Sequence, residues 1–186
     1  MPRWVLGAGA VVLAFAVGFW GSSSLPDDAR GFELTRTDGT RINSQDVLAG
    51  EPYVIFFGYT FCPDVCPTTL AYLSSVLDQQ ESATGQRAQA VFVSVDPQRD
   101  TPERLAQYVN YFDERIWAVT GTQAELEQTA KTFSVFFQKV PGKGDDDYLV
   151  DHSAGILVMD DKHRLSGVIR DGEALDKALA TLANAY

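Results

Sequence analysis

A chain of 186 residues holds one domain with a sizeable core and is hardly long enough for two. At 45% hydrophobic and 11% aromatic residues it is a globular sequence rather than a disordered one. The formal charge of −10, with no cluster of Lys and Arg, excludes the basic face that nucleic acid requires.

The first segment is an apolar run from Val5 to Trp20, preceded by Arg3 and followed by Gly21 and three serines. Residues 1–21 therefore read as a signal peptide or an uncleaved signal anchor. The run is a little short against the ~20 residues of a usual span. No Ala-x-Ala cleavage site follows, however, and Phe19-Trp20 suits an interfacial anchor. With no cysteine after the run, a lipid anchor is excluded. The expectation is a single N-terminal span in a bacterial inner membrane, with the domain on the periplasmic side. Residues 22–30 read as a Ser/Pro/Asp linker, and residues 31–186 as the folded domain.

Phe32-Glu33-Leu34 and Thr40-Arg41-Ile42 flank Asp38-Gly39 and predict a hairpin. Ser44 is placed to cap a short helix ending at Gly50. Tyr53 to Phe57 has the character of a buried strand. It breaks at Gly58, passes through Cys62 and Cys66, and opens a helix with Leu70, Leu73 and Leu77 on its apolar positions. Pro67 suits the first helical position, which makes Cys66 the cap. Ala90 to Val95 predicts a second buried strand, then a loop over Asp96 to Asp100. Thr101-Pro102-Glu103 starts a helix whose stripe is Leu105, Tyr108, Val109 and Phe112.

Ile116 to Val119 is a short strand, and Thr122 to Glu125 a capping box for a helix turning Leu126, Ala130 and Phe133 inward. Val135 to Lys139 is a further strand candidate. Pro141 to Asp147 is polar and Gly-rich, the composition of a loop. Ile156 to Met159 and Leu165 to Ile169 form a hairpin across Asp160-Asp161-Lys162. Asp171 is placed to cap a final helix burying Leu175, Ala178, Leu179 and Leu182. Together these elements predict an α/β sandwich, a mixed central sheet flanked by helices. A cysteine pair between the first core strand and a helix start places the chain among thioredoxin-like folds. In such sheets chemistry gathers at the carboxyl ends of the parallel strands.

Cys62 and Cys66 are the chain's two cysteines. A helix N-terminus offers them free N–H groups and a positive dipole end, which favour thiolate over thiol. The spacing, with three residues between, permits a disulfide or two thiolates on one metal ion. As a structural staple so small a loop removes little chain entropy. Redox and metal chemistry both remain open. His152 is the candidate third ligand. It enters the strand at Ile156, where thioredoxin-like chains usually present a cis-proline to the cysteines. Two thiolates and one imidazole form a soft three-coordinate set that suits Cu(I), whereas structural zinc takes four ligands. His163 is expected to be a hydrogen-bonded or surface residue of the last hairpin. Asp96 reads as a loop and capping residue, and Asp100 as added negative charge beside a metal or a docking contact. Asp151 and Tyr148 are candidates to orient His152.

Three motifs carry a resemblance: Phe61-Cys62-Pro63-Asp64-Val65-Cys66-Pro67, Val95-Asp96-Pro97-Gln98-Arg99-Asp100-Thr101-Pro102 and Asp151-His152-Ser153-Ala154. In their order and flanking pattern, from about Phe32 to the C-terminus, the chain resembles the Sco/SenC family of cytochrome c oxidase assembly proteins. The resemblance implies a thioredoxin-like fold and copper held by Cys62, Cys66 and His152, with Cu(I) favoured and Cu(II) possible. It implies a Cys62–Cys66 disulfide in the oxidised chain, and help in forming the dinuclear copper (CuA) site of the oxidase. The partners implied are the copper-site subunit of cytochrome c oxidase and other copper carriers. Family members resemble copper donors, thiol–disulfide reductases of target cysteines, or redox sensors, so metallochaperone and oxidoreductase both stand. A peroxiredoxin-like peroxidase is set aside, because that chemistry needs an activating Thr and Arg around one cysteine.

Overall fold

The computed structural model describes residues 28–144 and 147–186. The expected anchor, residues 1–21, and most of the 22–30 linker lie outside the described residues. Among the described residues no helix is long and apolar enough to cross a membrane.

The chain opens on the expected hairpin, β1 (Glu33–Arg36) and β2 (Arg41–Asn43), turned at Gly39 with φ +83°. The short helix α1 (Ser44–Val47) follows. Its cap is Asn43 rather than Ser44. Asn43 Oδ1 accepts the Gln45 N–H at 2.9 Å, while the buried Ser44 hydroxyl accepts the Phe32 N–H across the hairpin. Next come β3 (Tyr53–Gly58), α2 (Val65–Thr84), β4 (Gln89–Ser94), α3 (Pro102–Phe112), β5 (Trp117–Thr120) and α4 (Gln123–Phe133). Thr101 caps α3, with proline in its first turn, and Thr122 with Glu125 forms the capping box of α4.

β6 (Phe137–Gly144), β7 (Asp147–His152), β8 (Ile156–Met159), β9 (Leu165–Ile169) and α5 (Leu175–Ala183) complete the chain. Seven strands form one mixed sheet in the order β2-β1-β5-β4-β3-β8-β9. β3, β4 and β5 are parallel, and β1 and β8 flank them antiparallel. Covered on both faces, β3 is buried along its whole length, as an unbroken apolar run predicts. α2 packs against α3 and α5, and α4 against β1.

The structure corrects three further sequence expectations. α2 begins at Val65, so Pro67 is its third residue and Cys66 its second. Proline is tolerated there because the first N–H groups of a helix have no intrahelical acceptor. Asp171 caps nothing. Gly172 turns left-handed at φ +69°, α5 starts only at Leu175 behind Ala174, and Leu175 is left exposed while Ala178 and Leu182 are buried. The supposed loop at Pro141 is instead strand. β6 runs on to Gly144 and pairs with β7 as a separate two-stranded arm, its register shifting between Pro141 and Gly144. That irregularity accommodates a proline and glycines which elsewhere would break a strand. At Gly142 even a Cβ would collide with the Asp147 carbonyl.

Candidate metal centre

Gly58 ends β3 directly beneath the buried Cys66. A Cβ at Gly58 would lie 2.8 Å from Cys66 Sγ and 2.9 Å from the Phe92 ring, so only glycine lets strand and sulfur approach this closely. The chain then loops out, leaving Cys62 half-buried, and returns as α2. Asp64, the cap residue, makes no side-chain cap bond. The sulfur of Cys62 takes over that role, accepting the Cys66 N–H at 3.3 Å.

The imidazole arrives from the arm. Along β7 Asp147, Leu149 and Asp151 are exposed, while Tyr148, Val150 and His152 turn toward the body. His152 Nε2 lies 3.3 Å from Cys66 Sγ. Its Nδ1 faces the Ser153 carbonyl at 3.1 Å. A carbonyl only accepts, so Nδ1 donates to it, and Nε2 is the ring nitrogen turned to the sulfurs. The ring packs edge-on against Phe56 and Tyr59, at 6.0 and 5.9 Å between centroids. Two sulfurs and this nitrogen all lie within 4.8 Å of one another. Both cysteines are free thiols.

The sulfurs divide one proton unequally. Hydrogen bonding from the Cys66 thiol, helped by His152 and the N–H groups of Cys66 and Asp64, outweighs burial and draws the Cys62 pKa down to about 3. Cys66 moves the opposite way, because it holds the shared proton and is more deeply buried. The result is a half-exposed thiolate beside a buried thiol, with an imidazole nitrogen against the pair. This donor set fits a soft cation of low coordination number, and among the described residues no His, Cys, Asp or Glu joins it as the fourth ligand of a structural zinc site.

The remaining candidates hold the frame. Asp100 is buried and accepts from Thr60 N, Thr60 Oγ1 and Ser94 Oγ at 3.0, 2.6 and 2.6 Å, which ties the cysteine loop to the end of β4. Its desolvation pushes its pKa up. Asp96, also buried, accepts from Arg99 Nε at 2.5 Å and from the Tyr148 hydroxyl at 2.7 Å. Asp151 stands on the face of β7 opposite His152, and Tyr148 bonds Asp96 rather than the imidazole. His163 lies in the β8–β9 turn at φ +60°, buried against Tyr53 at the far end of β3, and takes no part in the site.

Sequence reasoning passed over Tyr59 and Arg99. The Tyr59 hydroxyl accepts the Val150 N–H at 3.2 Å. The Arg99 guanidinium is stacked on Tyr148, 3.5 Å from the ring centroid, and lies 4.6 Å from the centroid of Phe61. Asp96 and Arg99 at i and i+3 were the available signal, but a charged pair in a loop reads equally well as solvated surface.

The SCO1/SenC family profile matches residues 23–186. Over 123 residues, 66% of this chain and 40% of the relative, the sequence is 40% identical to the mitochondrial SCO1 homolog of Homo sapiens. Against that protein and two SCO1 homologs of Arabidopsis thaliana, the chain spans between 38% and 47% of their length. The structure of Bradyrhizobium japonicum ScoI with copper bound superimposes with a TM-score of 0.74 at 37% identity, covering 85% of this chain and 99% of that one. Yeast Sco1 with copper bound gives a TM-score of 0.77 at 30% identity, covering 85% and 87%.

Proposed function

The chain belongs to the SCO1/SenC family, and from that premise we propose that it binds copper through Cys62, Cys66 and His152 and acts as a metallochaperone for the CuA site of cytochrome c oxidase. The observation that carries this reading is the approach of His152 Nε2 to 3.3 Å from Cys66 Sγ. A dithiol that only exchanged disulfides has no need of an imidazole brought from a separate arm. Cu(I) is the favoured cargo because thiolate and imidazole suit its softness and low coordination number, and Cu(II) is a second form. The relatives solved with copper bound support the same assignment. The partners proposed are the oxidase subunit carrying the copper site and other copper carriers. Residues 1–21 would hold the domain, residues 31–186, to the periplasmic side of a bacterial inner membrane, with 22–30 as the tether.

One observation favours a second reading. A half-exposed Cys62 whose sulfur accepts the Cys66 N–H at the start of α2, beside a buried Cys66, is the arrangement of a thiol–disulfide reductase. The Cys62 sulfur would attack a target disulfide and release one target thiolate. Cys66, losing its proton, would then displace the second target sulfur. This leaves a Cys62–Cys66 disulfide and a target dithiol reduced by two electrons.

Titrating Cu(I) into the reduced domain, with and without His152→Ala, separates the two readings. The wild type is expected to bind one copper ion, and His152→Ala to bind roughly 10- to 100-fold more weakly while still forming the disulfide. Equal copper affinity in the two proteins, or normal oxidase assembly in cells carrying His152→Ala, would overturn the chaperone reading.

A further inference from the structure

The arm that delivers His152 shares no strand pairing with the main sheet. Beyond short covalent links, such as that from His152 to Ile156 of β8, its position relative to the cysteines therefore rests on contacts made by side chains. Tyr148, Val150 and His152 share the inward face of β7, and each of the first two is held. The Tyr59 hydroxyl accepts the Val150 N–H at 3.2 Å. At Tyr148, Arg99 Nη1 donates to the backbone carbonyl at 3.0 Å, the guanidinium carbon lies over the ring 3.5 Å from its centroid, and the ring hydroxyl reaches Asp96 at 2.7 Å. Asp96 in turn accepts from Arg99 Nε, so carboxylate, guanidinium and phenol close a circuit. The same guanidinium lies 4.6 Å from the ring centroid of Phe61, the neighbour of Cys62. One position along, Asp100 holds the Thr60 N–H and hydroxyl. One five-residue loop thus grips both segments that carry the candidate ligands.

We propose that Arg99 is a positioning residue for the metal centre, fixing the imidazole-bearing arm at ligand distance from the sulfur pair through Tyr148 and Asp96. The inference rests on the copper reading for its consequence, though not for its geometry. Arginine is needed for its shape as well as its charge. Its fork bonds Asp96 and the Tyr148 carbonyl at once, and its guanidinium carbon lies within 4.6 Å of two aromatic ring centroids. Lysine keeps the charge and loses the rest. Its side-chain hydrogen bond outside the loop's own carboxylate and its closest ring contact both bear on the arm, whereas it meets the cysteine loop through the longer contact with the Phe61 ring, so the dithiol should feel the brace far less than His152 does.

The test uses Arg99→Lys, His152→Ala and the double variant, with two readouts. Amide hydrogen exchange of the apo proteins reports the arm, and chelator competition reports Cu(I) affinity. Arg99→Lys is expected to speed exchange at Val150 and its β7 neighbours at least several-fold while leaving β3 and β4 protected. It should weaken Cu(I) about tenfold with the Cys62–Cys66 potential unmoved. In the His152→Ala background it should add no further copper loss, because the ligand it positions is gone. Unchanged exchange in β7 overturns the proposal. So does faster exchange with undiminished copper affinity, or a copper loss that simply adds to that of His152→Ala. If the wild type takes up no copper, the copper reading falls, and the exchange result still decides whether Arg99 holds the arm.

Discussion

The site turns on contacts of single atoms, and Gly58 shows how little freedom they leave. Its missing Cβ is the space occupied by Cys66 Sγ and the edge of Phe92. In Gly58→Ala one of the two must yield. Phe92 lies fully buried in β4 and the sulfur sits in the first turn of a long helix, so neither moves freely. The expected cost is about 1–3 kcal/mol of stability, typical of overpacking. A weaker Cu(I) complex should accompany it, because the sulfur that shifts is the one facing His152 Nε2. Denaturant unfolding and chelator competition check the two halves. An alanine variant with native stability and native affinity would show that the strand end is not a tight floor under the sulfur.

Single elements show where sequence logic suffices and where it fails. α4 was legible because its signal is local. Thr122 and Glu125 close a capping box on each other, and Leu126, Ala130 and Phe133 repeat at helical spacing and are buried. Thr122→Ala should therefore cost about 1 kcal/mol, lower the melting temperature by roughly 2–4 °C and leave copper affinity as it was. A loss of affinity instead would mean that α4 is coupled to the site. The core strands β3, β4 and β8 were equally plain from their apolar runs. The cysteine pair and His152 could be read as candidates because Cys and His carry distinctive chemistry. Of the arm only its beginning could be read, as the strand candidate over Val135 to Lys139, since Pro141, Gly142 and Gly144 look like loop and are made strand by pairing with residues further along. The start of α2 was misplaced for a related reason. A sulfur four residues upstream does the capping there, and no capping rule anticipates it. Arg99 stayed hidden because its partners, Phe61 and Tyr148, are 38 and 49 positions away in sequence and meet it only in the folded chain.

At the scale of the whole molecule the buried ionisable groups fix how stability follows pH. His163 was expected to be a hydrogen-bonded or surface residue of the last hairpin, and it is the former: it is 2% exposed, packed on Tyr53 with Nδ1 3.4 Å from that hydroxyl, and its carbonyl accepts the Arg30 N–H at 2.7 Å, anchoring the chain's entry. Burial lowers its pKa, and the neighbouring Asp160 only partly offsets this. The charged facing groups are accounted for, since Asp160 is paired with Arg164 and held low by it. A histidine whose pKa is lowered in the fold resists protonation there, whereas in the unfolded chain it protonates freely below about pH 6.5. Unfolding then takes up a proton, so stability falls as pH drops through and below that value. Asp78, Asp113 and Asp160, each depressed by arginine neighbours, add a separate loss only below about pH 4, where their unfolded forms protonate. The Cys62 thiolate contributes its own acid-side slope, but equally in wild type and in a variant that leaves it alone. His163→Asn isolates the histidine, because asparagine accepts the left-handed backbone that this position requires. The variant is expected to be less stable at pH 7, having lost the ring against Tyr53, and to lose less stability than wild type between pH 7 and pH 5. Parallel slopes for the two proteins across that interval, in metal-free denaturation series, would show that His163 protonates as readily in the fold as outside it.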